Sequence, residues 1–187
     1  MTQNGMRSVL ERHPVIPVVT FHEEREVNAT VEKLLAQNIN CIEITLRTDF
    51  ALNAIQLVKE RFAGKMEVGV GTVINETQVN AVKALEVDFI VSPAFYPELI
   101  HLLRATGIPF IPGAVTPGEL VTGMHLGCDT FKFFPAALYG GVNALKTFGD
   151  VFPSLKFCPT GGIKEETHRD YLALPNVVSV GGSWMLK

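Results

Sequence analysis

The run Phe131-Lys132-Phe133-Phe134-Pro135 sets one lysine among aromatic residues in a stretch with strand character. Side chains alternate along a strand, so Lys132 and Phe134 share one face and Phe131 and Phe133 the other. An ammonium held against aromatic rings is desolvated, which favours the neutral amine and frees it as a nucleophile. Pro135 ends the strand, which places the amine near the strand's C-terminal rim. The competing reading is a lysine that snorkels its charge to solvent. Lys156 also falls in a strand, but farther below its rim, and ranks behind Lys132.

Glu43, Thr45 and Arg47 form a second set, alternating with Ile42, Ile44 and Leu46. In a barrel the apolar set would pack beneath helices and leave an acid and a base facing the lumen. Over four residues these two lie about 13 Å apart, too far for a direct pair unless the strand ends. Burying them unpaired is costly, so a polar ligand explains them better than a solvated edge strand, which stays open as the alternative. Thr160-Gly161-Gly162 and Gly181-Gly182-Ser183 follow the last two strands of the pattern. Glycine pairs let backbone N–H groups approach an anion, and the loops after strands seven and eight are the usual phosphate site of a (β/α)8 barrel. Either pair alone fits a plain turn equally well; the two together favour phosphate. Gly69-Val70-Gly71-Thr72 is no dinucleotide loop, because Ile74 occupies the third glycine position. Thr72 is then a rim hydroxyl or a helix-start residue.

The elements that must position these groups alternate along the whole chain. Strands are expected at 15–21, 40–46, 67–71, 88–92, 109–111, 130–133, 155–158 and 177–180, with amphipathic stretches such as 24–37 and 49–62 between them. Asn75 with Gln78, and Thr116-Pro117 with Glu119, carry capping-box signals for helix starts. Strict strand–helix alternation implies a parallel sheet. Eight units suggest a small (β/α)8 TIM barrel; an open doubly wound sheet is the alternative, since periodicity does not show closure. No linker or composition shift divides residues 1–187, which implies a single domain. Only Ser183 to Lys187 follow the last strand, so the final outer helix is expected to be missing.

Composition narrows the function classes. The 187 residues are 47% hydrophobic and 19% charged, a globular balance that excludes disorder and fibrous repeats. A net charge of −3 gives no basic footprint for nucleic acid. No apolar run is long enough for a membrane span, and the first five residues do not resemble a signal peptide. Cys41, Cys128 and Cys158 are odd in number and widely spaced, as expected of reduced thiols in the cytoplasm. The histidines His13, His22, His101, His125 and His168 show no ligand spacing, so no zinc is expected.

Seven segments together resemble the 2-keto-3-deoxy-6-phosphogluconate / 4-hydroxy-2-oxoglutarate aldolase family of class I, Schiff-base lyases. They are Ile42-Glu43-Ile44-Thr45-Leu46-Arg47-Thr48, Gly69-Val70-Gly71-Thr72-Val73, Ser92-Pro93, Ile111-Pro112-Gly113, Lys132-Phe133-Phe134-Pro135-Ala136, Cys158-Pro159-Thr160-Gly161-Gly162-Ile163 and Val180-Gly181-Gly182-Ser183-Trp184. They run in family order over nearly the whole chain. The resemblance implies a cytoplasmic barrel enzyme of carbohydrate metabolism (the Entner–Doudoroff pathway), homotrimeric, with no metal or organic cofactor. Lys132 would form the imine with the substrate's C2 ketone, and Glu43 would move the protons. Arg47 and Thr72 would hold the pyruvyl carboxylate, with Pro93 and Phe134 lining that pocket. Thr160, Gly161, Gly162, Gly182 and Ser183 would bind the phosphate end. The products would be pyruvate and glyceraldehyde 3-phosphate, or pyruvate and glyoxylate from 4-hydroxy-2-oxoglutarate.

The chain departs from the family in three places. Ala137 stands where glutamate is frequent, and Ala94 where glycine is, which narrows the pyruvate pocket. Family members also continue past Gly-Gly-Ser-Trp with another helix, so the expectation is a truncated form, or a barrel face that a neighbouring subunit covers. Three other functions remain open on sequence. These are an aldolase for the phosphogalactonate epimer, a non-catalytic phosphosugar-binding barrel, and a metal-dependent aldolase, for which ligands are lacking.

Overall fold

In the computed structural model, which describes residues 5–187, the chain alternates strand and helix almost throughout. The strands are β1 (Val15–Val19), β2 (Cys41–Thr45), β3 (Glu67–Gly71), β4 (Phe89–Val91), β5 (Phe110–Ile111), β6 (Thr130–Phe133), β7 (Lys156–Pro159) and β8 (Val180–Gly182). Between and before them lie α1 (Met6–Arg12), α2 (Arg25–Ala36), α3 (Ala51–Arg61), α4 (Glu76–Ala84), α5 (Pro97–Ala105), α6 (Pro117–His125), α7 (Gly141–Val151) and α8 (His168–Leu172). A single 3-10 turn, Trp184–Leu186, follows β8.

Six strands form one parallel sheet in the order β5-β4-β3-β2-β1-β8, and β6 pairs with β7 in a second. Isolated parallel bridges, Gly113 to Lys132 and Thr160 to Gly181, span both gaps between the two. The result is an α/β fold in which a parallel sheet curves around an interior. Register stacks Val18 beside Glu43, and Glu43 beside Gly69, so one layer of the interior is set by three neighbouring strands.

Period-two alternation divides the core. Outward residues such as Ile42, Ile44, Val68, Val70, Phe131 and Phe133 pack beneath the helices. Inward residues Ile16, Cys41, Phe89, Val91, Ile111 and Cys158 form a second cluster with Met6, Val9 and Leu10 of α1. Helix α1 therefore plugs one end of the interior, and burying Leu10 alone contributes about 1.5–3 kcal/mol.

Most strands lie within two residues of their expected bounds, and two elements differ more. Helix α1 was not foreseen, because three apolar residues in seven give too little periodicity to mark a helix. The last strand runs over Val180–Gly182 rather than 177–180, since its ladder is dictated by β1, with Val15 opposite Val180 and Pro17 opposite Gly182. The helix starts carry their signals in full at α6. Thr116 accepts from the Glu119 N–H, and the Glu119 carboxylate accepts from the Thr116 N–H. At α4, Asn75 caps the Gln78 N–H, while the Gln78 side chain reaches one residue further back, to the Ile74 N–H.

Candidate active site

Lys132 reaches the interior because its neighbours are held outward. Phe131 and Phe133 are fully buried beneath the helices, and the Phe133 ring meets Phe148 edge-on at 5.9 Å. That leaves Lys132 pointing inward, 3% exposed, its Nζ 5.2 Å from the centre of the Phe134 ring. Across the interior Nζ donates to Glu43 Oε1 at 3.1 Å and lies 3.4 Å from Oε2. Glu43 is likewise 3% exposed. The polar strand positions do not wait on a ligand for a partner, as the sequence suggested: Glu43 and Lys132, 89 residues apart, neutralise each other. A buried pair of this kind is costly to break from one side, because the remaining charge is left unpaired.

The room for this pair is made by a glycine. A Cβ placed on Gly71 would fall on the Glu43 carboxylate. Strand β3 therefore tolerates no side chain there while Glu43 holds its position.

Nearer the mouth, β2 ends at Thr45, so Arg47 stands beyond the strand and is exposed. Its Nε donates to Thr72 Oγ1 at 3.3 Å. Thr72 has φ +67°, a left-handed conformation that a β-branched residue adopts only at a cost of about 1–3 kcal/mol. Thr45 is fully buried and shares a 2.7 Å hydrogen bond with Thr20, which follows β1.

A cavity of about 360 Å³ opens above the lysine. Its walls bring together Arg47, Lys132 and Phe134 with Thr160, Gly161, Gly162, Gly182 and Ser183. Gly161 and Gly162 take φ +97° and +74°, which lets the loop after β7 fold over the opening. Thr160 locks this loop through its backbone, donating to Phe133 O at 3.0 Å and accepting from the Ala136 N–H at 2.8 Å. Glu43 and Thr72 do not line the cavity but touch residues that do. Pro93 lies outside the lining, at the end of β4, where its carbonyl packs against Gly113. Ala94 beside it is exposed. Lys156 sits at the opposite end of its strand and donates to Pro175 O at 2.8 Å.

Val18, Thr20, Ile163 and Leu186 complete the lining and escaped the sequence reading. Alternation from Ile16 through Val18 to Thr20 was the signal for two of them. Leu186 belongs to a turn whose position depends on tertiary packing. Cys158 also faces the interior. Burial pushes its thiol up to about 12; Lys132 opposes that shift and Glu43 adds to it. Among the described residues, no cluster of His, Cys, Asp and Glu is arranged to hold a metal ion.

Residues 6–187 match the family described as KDPG and KHG aldolase. The chain belongs to this aldolase family. Among its relatives, the 2-dehydro-3-deoxy-phosphogluconate aldolase of Dickeya dadantii is 40% identical over 98% of this chain and 86% of its own length. The KHG/KDPG aldolase of Escherichia coli is 38% identical over the same shares. Among solved structures, the KDPG aldolase of Legionella pneumophila, with pyruvate captured as a covalent carbinolamine intermediate, superposes with a TM-score of 0.92. It is 42% identical, covering 96% of this chain and 86% of that one. The aldolase of Zymomonas mobilis with 3-phosphoglycerate gives 0.93 at 37% identity, over 97% and 86%. The architecture described above is therefore that of the KDPG and KHG aldolases. The cavity over Lys132 is where this member of the family gathers its buried amine and its glycine loops, with the Glu43 carboxylate behind the amine.

Proposed function

We propose that this chain cleaves 2-keto-3-deoxy-6-phosphogluconate to pyruvate and glyceraldehyde 3-phosphate through a Schiff base on Lys132. The observation that carries the reading is the buried Lys132–Glu43 pair at the floor of a cavity ringed by Arg47 and two glycine loops. The carbinolamine captured in the Legionella relative supports the same chemistry.

The lysine amine adds to the C2 ketone, and the carbinolamine loses water to give a protonated imine. The imine nitrogen then accepts the electron pair of the breaking C3–C4 bond while the C4 hydroxyl gives up its proton. The aldehyde leaves, the enamine takes a proton at C3, and water releases pyruvate and the free amine. Each proton moves near Nζ, and Glu43, within 3.4 Å of it, is the group placed to carry them. Arg47, offering a planar fork, holds the pyruvyl carboxylate together with Thr72. Phe134 covers the imine, and Pro93 backs the same region from behind. Thr160, Gly161, Gly162, Gly182 and Ser183 receive the phosphate through backbone N–H groups and hydroxyls. The 3-phosphoglycerate in the Zymomonas relative supports a phosphate-bearing ligand. No metal or organic cofactor enters this scheme.

The Escherichia coli relative, called a KHG/KDPG aldolase, supports 4-hydroxy-2-oxoglutarate as a second substrate, yielding pyruvate and glyoxylate. The reading also takes residues 1–187 as one domain, a (β/α)8 barrel, and the chain as a cytoplasmic homotrimer. The two bridges that join the sheets support closure. Among the described residues no helix is long and apolar enough to cross a membrane.

Borohydride reduction in the presence of pyruvate, followed by intact mass and peptide mapping, tests the reading. A single adduct on Lys132 is expected. An unmodified, folded protein would overturn it.

A further inference from the structure

Three residues lining the cavity carry a hydroxyl: Thr20, Thr160 and Ser183. Thr160 and Ser183 belong to the glycine loops at the phosphate end. Thr20 belongs to neither loop, and the reaction as drawn gives it no task. Its position along the barrel is defined by register. Val18 lies beside Glu43, so Thr20, two residues on, lies beside Thr45, one inward layer nearer the mouth, roughly 6.6 Å along the strand. A substrate bonded to Lys132 through its second carbon and ending at the glycine loops has its aldehyde half at this layer.

The hydrogen bond between Thr20 and Thr45 has a polarity. The Thr45 hydroxyl is fully buried, and Thr20 Oγ1, 2.7 Å away, is the partner it has among the described residues. A buried hydroxyl proton needs an acceptor, so Thr45 donates and Thr20 accepts. The proton of Thr20, which is only partly buried and lines the cavity, is thereby left to donate into it.

We propose that Thr20 is a specificity-determining residue whose hydroxyl, oriented by Thr45, donates to the hydroxyl group beside the aldehyde carbon of the phosphorylated substrate half. Thr45 is the positioning residue. The inference rests on the aldolase reading above. It extends that reading from the pyruvyl end and the phosphate, which are held by charge and by backbone, to the stretch of substrate between them.

The test uses the condensation direction. Pyruvate is paired either with glyceraldehyde 3-phosphate or with 3-oxopropyl phosphate, which lacks only the hydroxyl. Thr20→Val keeps the side chain's shape and removes its donor. Its kcat/KM is expected to fall roughly 10- to 100-fold more for glyceraldehyde 3-phosphate than for the deoxy aldehyde. Thr20→Ser is expected to restore most of the preference. Thr45→Val, which frees the Thr20 hydroxyl to turn, is expected to weaken the preference without abolishing it. Equal losses on both aldehydes, or no loss, would overturn the assignment. Borohydride trapping of pyruvate on Lys132 is expected to persist in Thr20→Val; its loss there would make Thr20 a structural support and also overturn it. Absence of trapping in the unaltered protein would instead remove the aldolase reading, so the two failures are distinguishable.

Discussion

In the proposed mechanism the lysine that attacks the ketone and the carboxylate that moves protons cannot sit apart, and in this chain the Glu43 carboxylate lies 3.1 Å from the Lys132 amine. Lys132→Ala is expected to abolish both turnover and the pyruvate adduct, and to leave Glu43 buried without its partner, at a cost of about 3–5 kcal/mol. Glu43→Gln keeps the shape but not the base, so pyruvate is still trapped while turnover falls by on the order of 10²–10⁴. Lys156→Ala, at the far end of its strand, is expected to leave trapping on Lys132 unchanged. Steady-state kinetics beside borohydride trapping checks all three, and wild-type rates in either of the first two would sink the mechanism. At this scale the sequence was informative about types and faces. Alternation put Glu43 on the lumen face of its strand, and Lys132 with Phe134 on the face opposite Phe131 and Phe133. It was silent on their pairing, because two residues 89 positions apart meet only through the curvature of the sheet. The left-handed backbone of Thr72 was equally hidden, since nothing in a threonine announces a positive φ.

Elements hold these side chains in place through glycines and caps. Gly71 is the clearest case, because a methyl there would displace the Glu43 carboxylate. Gly71→Ala is expected to fold and to lose activity nearly as far as Glu43→Gln, since it moves the same group; unchanged kcat would show that β3 yields instead. Helix α6 carries a second, separable prediction. Burial alone would raise the Glu119 carboxyl, but the N–H groups of Val115 and Thr116 and the Thr116 hydroxyl outweigh it and hold the group below its ordinary 4.5. A carboxyl lowered on folding contributes stability that is full above its unfolded value and is lost as pH falls through its folded one. The denaturation midpoint of the unaltered protein is therefore expected to drop below pH 4.5 more steeply than that of Glu119→Gln. Parallel curves would mean that the cap contributes no pH dependence. The Thr116-Pro117-x-Glu119 signature was legible because capping is local. The boundaries of β8 were not, because Gly181 and Gly182 have little strand propensity of their own and are placed by the ladder from β1.

The whole molecule was legible as alternation but not as closure: eight βα units follow from periodicity, whereas the order of the strands and the plug formed by α1 depend on contacts between distant segments. One consequence of burial reaches every cysteine. Burial raises the Cys128 thiol to about 11 and the Cys158 thiol to about 12, and it moves Cys41 in the same direction. Above pH 9 the unfolded chain gives up these protons while the folded chain keeps them, so the unfolded state binds fewer protons and stability falls as pH rises. Each such thiol removes about 1.4 kcal/mol per pH unit until the pH reaches its folded value, and below pH 9 the loss vanishes. Domains of this kind have only about 5–15 kcal/mol to lose, so unfolding by alkali is expected within a few pH units above 9. Cys158→Ala separates this effect from general alkaline damage. It leaves a small void and is expected to be less stable at pH 7. Its urea midpoint should nevertheless decline more slowly than that of the unaltered protein between pH 9 and 11, because one titrating thiol has been taken out of the interior. Identical slopes would mean that Cys158, beside Lys132 in the β6–β7 ladder, loses its proton as readily folded as unfolded.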